Sequence, residues 1–281
     1  MKRFAWQKEF VKLRSMNSQE NEAIVFHTDQ DGIAVLRVNR RQARNALNWE
    51  AQDRFAACIE SVKDDERVRA LIITGSGDDA FVSGGDLKEF FQDHDRHSGR
   101  RLNRIMSQAL AELRKLPLPV IAAVNGNAFG GGCEIITACD LRIAGEQTHF
   151  SFAQVRNGLT TGWGGAARLV QLIGLSRACD LLLTGRVIDA QEAYHAGLLH
   201  RLVPQGEDVL AAAREWAAEL TELPSDAQAA LKELLYAAAA LPAGDVQKLE
   251  RLLFLEQWAS PDHLEALAAF AEKRRPVFNQ S

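Results

Sequence analysis

The 281-residue chain has few cysteines, and none are paired: Cys58, Cys133, Cys139 and Cys179 form no CxxC spacing and lie in otherwise apolar segments. That removes a disulfide framework and a thiolate zinc site, and it predicts reduced core residues. No apolar run approaches the roughly 20 residues that span a bilayer, so no membrane role is expected. Lys and Arg (33) nearly balance Asp and Glu (37), leaving a net charge of −4 with the signs interspersed. Such a chain offers no basic field to nucleic acid. Gly-Lys-Ser/Thr never occurs, which excludes the phosphate loop of nucleotide hydrolases. No GxGxxG frame surrounds the triplet Gly130-Gly131-Gly132, so dinucleotide binding is unsupported. Ser83 lacks the G-x-S-x-G frame of a nucleophile elbow. His94 and His97 in QDHDRHSG have metal-like spacing, which a charged, solvated loop accounts for.

What is present is a globular composition, 47% hydrophobic and 25% charged, with material for a sizeable core. Residues 1–20 are basic and mildly amphipathic and lack the apolar core of a secretory signal. They read as an extension of a cytoplasmic protein. After the Asp31-Gly32 turn, Ile33, Val35 and Val38 predict a strand. Asn48 caps a helix with Phe55, Ile59 and Val62 on one face. ALIITG and VIAAV are short runs apolar on both faces, as buried strands are, and LRIA is a further strand. Between the first two, a long helix carries Leu102, Ile105, Met106, Ala109, Leu113 and Leu116 up to the Pro117/Pro119 break. Beyond about residue 165 the pattern turns helical. Asp189 and Glu192 form a capping box, Ser225 caps the next helix, Asp245 opens another and Ser260-Pro261 starts the last. Strands first and helices later imply an α/β core with a helical C-terminal part. The apolar faces of those last helices point to a partner subunit.

Two segments carry chemistry. In VIAAVNGNAFGGGCE, three glycines between a strand and a helix from Cys133 to Cys139 let the backbone approach a ligand without Cβ interference. The free N–H groups at the helix start then face that ligand, as a phosphate or a developing oxyanion requires. Glu134, in the first turn, either acts on the same ligand or only complements the helix dipole. In FVSGGDLKEF, Gly84-Gly85 makes a second strand-end turn with Asp86 at a helix start. Taken together, the two turns allow a paired-amide oxyanion hole; taken singly, the second is an ordinary capped turn.

From about Ile24 to Phe278 the chain resembles the crotonase (enoyl-CoA hydratase/isomerase) superfamily. The matching strings are NRRQARNALN, FVSGGDLKEF, PVIAAVNGNAFGGGCEIITACDLRIA, GLTTGWGGAARLVQLIG, LLLTGRVIDAQEAYHAGLLHRLVP and AFAEKRRPVF. The resemblance implies an α/β fold made of a spiral of ββα units over residues 21–205. A C-terminal helical region, 206–281, would then assemble trimers and commonly hexamers. It implies an acyl-CoA thioester substrate and no metal or redox cofactor, coenzyme A being part of the substrate. The N–H groups of Gly85 and Gly131 would form the oxyanion hole. Asn45, Ala46 and Leu47 would line the adenine and pantetheine path, with Ser83, Asp86 and Leu87 continuing it. Phe270 and Lys273 would contact the CoA of a neighbouring subunit.

One departure stands out. Hydratases of this family use two glutamates; one matches Glu134, whereas the other falls at Gln154, four residues before Gly158. Glutamine can hold a water but exchanges no proton at neutral pH, and losing a general acid–base group costs typically about 10²–10⁴-fold. Gly162 matches the residue whose N–H helps hold the water. Arg156 either meets a second carboxylate on the substrate or faces solvent. The expectation is an enoyl-CoA hydratase/isomerase-type enzyme with Glu134 as acid and base and weak hydration. The alternatives are decarboxylation or C–C cleavage on the same platform, and an acyl-CoA-binding protein with little catalysis.

Overall fold

Strands that are apolar on both faces have to be covered on both faces, and that requirement sets the architecture. The computed structural model describes residues 22–92 and 95–279; the expected N-terminal extension and His94 lie outside the described residues. The chain folds in order as β1 (Ile24–Thr28), β2 (Ile33–Val38), α1 (Trp49–Lys63), β3 (Ala70–Gly75), β4 (Ala80–Val82), the single turn α2 (Leu87–Phe90), α3 (Arg96–Lys115), β5 (Val120–Val124), β6 (Asn127–Phe129) and α4 (Gly131–Ala138). It continues with β7 (Leu141–Gly145), β8 (His149–Ser151), α5 (Gly165–Ile173), α6 (Leu175–Thr184), β9 (Ile188–Asp189), α7 (Ala190–His195) and β10 (Arg201–Val203). Four helices close the chain: α8 (Val209–Thr221), α9 (Ser225–Ala238), α10 (Ala243–Trp258) and α11 (Pro261–Glu272).

The larger sheet has the order β1-β2-β3-β5-β7-β10, with β1 antiparallel to β2 and the rest parallel. The smaller sheet, β4-β6-β8-β9, is parallel except for β9. The pairs β3-β4, β5-β6 and β7-β8 each send one strand to the large sheet and the next to the small one, and a helix follows each pair. This is the expected spiral of ββα units.

Alternation divides the core. Ala34, Leu36, Leu71 and Ile73 face the interior shared with the small sheet, α1, α3 and α4. Ile33, Val35, Ala70 and Ile72 face the other way, where Val209, Ala213, Trp216 and Ala217 of α8 cover them. The first helix beyond residue 205 therefore completes the sheet's packing. The next helix is tied to the core by ions: Asp140 accepts from Lys232 Nζ at 2.7 Å and from Tyr236 Oη at 2.5 Å.

The predicted caps hold at Asn48, whose side chain accepts from Ala51 N–H, and at Ser260, which accepts from His263 N–H. Other expectations are corrected. Ser225 is the first residue of α9 rather than its cap, and its hydroxyl bonds Asn279. Asp189 caps α7, but Glu192 does not reach back, because its carboxylate is engaged by Arg186. β6 intervenes between VIAAV and the glycines, and α4 begins at Gly131, so only Gly130 lies outside the helix. His97 sits in the first turn of α3, not in a loop. Cys58, Cys133 and Cys139 are buried as expected, whereas Cys179 is exposed on α6.

At the sheet's far edge, His200 Nδ1 accepts from the Arg142 N–H at 3.2 Å, with the Arg142 guanidinium beside the ring. Burial, then that guanidinium, push its pKa down from 6.5 to about 4. The unfolded chain takes up this proton first, so the contribution is complete above about pH 6.5 and is lost as pH falls towards 4. Thermal unfolding between about pH 7 and 4.5 is expected to show this decline, with a shallower slope in His200→Gln.

Candidate active site

Adjacent parallel strands end at the same edge of a sheet, and here β4 and β6 each run from that edge into a glycine turn. Gly84 has φ +101° and Gly130 φ +53°, backbone that residues with a Cβ rarely adopt. The turns abut: a Cβ on Gly84 would stand 3.0 Å from Gly131 N. α4 is seated on the end of β4 so closely that a Cβ on Gly132 would fall 1.9 Å from the Val82 carbonyl oxygen. Leu47 pairs with the first turn, its N–H donating to Gly84 O at 2.8 Å and its carbonyl accepting from Asp86 N–H at 3.0 Å. Among the described residues, this leaves the N–H groups of Gly85 and Gly131 without a partner. Both line one cavity of about 300 Å³, together with Glu134, Gln154, Gly162 and Trp163.

Glu134 lies in the first turn of α4 and is 2% exposed. Its Oε1 accepts from Gln154 Nε2 at 2.9 Å and from Gly162 N–H at 3.2 Å. Its Oε2 accepts from the N–H groups of Trp163 and Gly165, both at 2.8 Å. The segment before α5 is thus wrapped around one carboxylate, and a Cβ on Gly165 would stand 2.5 Å from Glu134 Cγ. The buried Arg168 fastens the wrap, donating to the carbonyls of Glu134 (3.1 Å) and Trp163 (2.8 Å) and to Thr137 Oγ1 (3.1 Å). Burial lowers the Arg168 pKa to about 10, opposed by the charge of Glu134, so it stays a cation at neutral pH.

A carboxylate only accepts, so its bond to Gln154 fixes the amide's orientation. Among the described residues, Gln154 Oε1 then has no protein partner.

Of the expected site residues, Gly85, Gly131, Glu134, Gln154, Gly162, Ser83 and Leu87 come together around the cavity. Asn45, Ala46, Leu47 and Asp86 do not line it. Asn45 is buried, and its amide donates to Ser76 O and Ala80 O. Ala46 and Leu47 are buried too, and Asp86 caps α2 while pairing with Arg40 at 2.8 Å. These residues brace the first glycine turn from behind. Phe270 (87% exposed) and Lys273 lie outside this chain's own cavity, and so does the exposed Arg156. No Lys or Arg is among the described lining residues. The sequence reading missed Trp163 and Arg168. An arginine on the apolar face of α5 and a tryptophan between Gly162 and Gly164 were the available signals.

The family described as enoyl-CoA hydratase/isomerase matches residues 28–281. The chain is 36% identical over 257 residues to a probable enoyl-CoA hydratase of Mycobacterium tuberculosis, covering 92% of this chain and 98% of that one. It is also 36% identical over 255 residues to a crotonyl-CoA hydratase of Syntrophomonas wolfei, covering 89% and 95%. Among solved structures, an enoyl-CoA hydratase from Bacillus anthracis superposes with a TM-score of 0.88 at 30% identity, covering 92% of this chain and all of that one.

Gln154→Glu would bring a second carboxylate within hydrogen-bonding distance of Glu134, and two carboxylates that close hold one proton between them. The folded variant would then retain a proton that the unfolded chain has lost. Its stability relative to wild type is therefore expected to fall as pH rises from about 5 to 8. Urea unfolding of both proteins across that range is the check.

Proposed function

Because the chain belongs to the enoyl-CoA hydratase/isomerase family, we propose that Gly85 and Gly131 hold the thioester oxygen of an acyl-CoA while Glu134 moves the proton. The observation that carries this is the meeting of two unpartnered N–H donors and one buried carboxylate in a single cavity. Polarised by the two donors, an enoyl thioester takes water at its β-carbon, and the displaced electron pair becomes the enolate. Each such donor is worth about 10²–10³-fold in related chemistry. Glu134 takes one proton from the water and returns one to the α-carbon, so a single carboxylate closes the cycle. The thioester itself is the electron sink, so the reading needs no metal or redox cofactor. Gln154 holds Glu134 in place but transfers no proton, and hydration is expected to be slow by about 10²–10⁴-fold for that reason.

A second reading is favoured by the direct bond between Gln154 and Glu134, which occupies a carboxylate oxygen that a water would otherwise use. In decarboxylation the enolate forms as the bond to the departing CO₂ breaks, so no proton is removed to generate it, and one is then delivered to the α-carbon. C–C cleavage of a β-hydroxy thioester also forms the enolate from the breaking bond, with Glu134 taking the hydroxyl proton and returning it to the α-carbon. A substrate carboxylate in this cavity would face Glu134 with no Lys or Arg among the described lining residues, and that repulsion disappears as CO₂ leaves.

The absorbance of crotonyl-CoA, followed with wild type, Glu134→Gln and Gln154→Glu, tests the first reading. Slow loss in wild type, at least about 10²-fold slower in Glu134→Gln and faster in Gln154→Glu, is expected. No loss, together with CO₂ release from a malonyl-type thioester, would shift the assignment to the second reading. Binding without either reaction, unchanged by Glu134→Gln, would leave an acyl-CoA-binding protein.

Assembly into a homotrimer, or a dimer of trimers, is part of the same proposal. α9 and α10 bury no residue in the single chain, and Leu252, Phe254, Leu255 and Trp258 are each more than half exposed. Apolar surface of that extent marks an interface. Light scattering is expected to give three or six chain masses, and Phe254→Lys is expected to lower that number.

A further inference from the structure

The indole of Trp163 lies against the residue that supplies one of the two proposed oxyanion donors. A Cβ on Gly131 would stand 2.1 Å from Trp163 Cζ3 and 2.3 Å from Cη2, so the six-membered ring rests on the Gly131 Cα. The ring is 4% exposed, packs in the main core and still lines the cavity. Its peptide is fixed on both sides, by the N–H bond to Glu134 Oε2 and by Arg168 on the carbonyl. Trp163 is thus anchored at its backbone and buried at its ring. Other apolar walls differ: Leu87 is 56% and Leu159 58% exposed, and side chains on that outer rim can yield to a ligand. The cavity itself, about 300 Å³, is at the lower end of the range for small-molecule sites.

An acyl chain leaving a thioester held between Gly85 and Gly131 runs at once along this buried ring. Resting on the acyl-CoA reading above, we infer that Trp163 determines substrate specificity by closing the acyl pocket, so that the site accepts short acyl groups and rejects longer ones. The ring acts by volume and rigidity and takes no part in proton transfer.

Binding of saturated acyl-CoAs tests this without turnover, because they contain no enoyl bond. Affinities of acetyl-, butyryl-, hexanoyl- and octanoyl-CoA would be measured calorimetrically for wild type, Trp163→Phe and Trp163→Ala. Each accommodated methylene strengthens binding about four-fold. Wild type is expected to gain on that scale as far as butyryl-CoA and to lose affinity at hexanoyl-CoA. In Trp163→Ala the gain is expected to continue to octanoyl-CoA, ending at least about ten-fold tighter than wild type, with Trp163→Phe between them. If removing the ring prevents folding, Trp163→Phe and Trp163→Leu carry the comparison. A length profile in the variants parallel to that of wild type, or steady tightening to octanoyl-CoA in wild type, would overturn the inference while leaving the acyl-CoA reading intact. Failure of every protein to bind any of the four would sink that reading, and the inference with it.

Discussion

The site depends on keeping one acidic side chain inside the protein. A buried carboxylate without partners is among the most costly groups a fold can contain, and Glu134 has four donors on its two oxygens. Those donors come from the stretch between β8 and the first residue of α5, whose regular structure is one short 3-10 turn at Ala153–Asn157. The carboxylate organises that stretch as much as the stretch positions the carboxylate. Arg168 extends the arrangement by fastening the carbonyls of Glu134 and Trp163 to one guanidinium. Its three acceptors, two on α4 (Glu134 O and Thr137 Oγ1) and one in the wrap (Trp163 O), make the wall of the cavity continuous with the core.

Topology does the rest. β4 and β6 are parallel neighbours, so their C-terminal ends are side by side, and the chain leaves both through glycine into a helix. The amides that follow inevitably point into the same space. Close approach then demands residues without side chains, which explains why Gly84 meets Gly131 and why Gly132 sits on the Val82 carbonyl. The larger sheet, sealed on its second face by α8, supplies the rigidity that holds these ends in register.

Much of this was legible in the sequence. The buried strands announced themselves as short runs without polar alternation, the helices by their caps and faces, and the two glycine turns by composition. What was hidden was decided by tertiary context. The strands of the small sheet are only two or three residues long, too short for any period to register. Ser225 has the chemistry of a cap, yet Asn279, 54 residues away, claims its hydroxyl. The bonds of the Asn45 amide to the carbonyls of Ser76 and Ala80, 31 and 35 residues away, had no signal in the sequence. Cys179 lies in an apolar run whose exposed side could not be told from its buried one. The direct Gln154–Glu134 bond was likewise invisible, since nothing in the spacing of 20 residues says that the two side chains touch.

Among the described residues, every hydrogen-bond donor to the Glu134 carboxylate except Gln154 is a main-chain amide, as are the two donors of the paired glycine turns. Side chains around them can therefore be exchanged without dismantling the polar frame. Trp163 shows the division within one residue, its amide facing the carboxylate and its ring facing the cavity. A lineage could redraw the cavity at such a position by a single substitution and inherit the frame unchanged. Divergence of substrate choice on a constant backbone is then the path of least resistance for descendants of this fold.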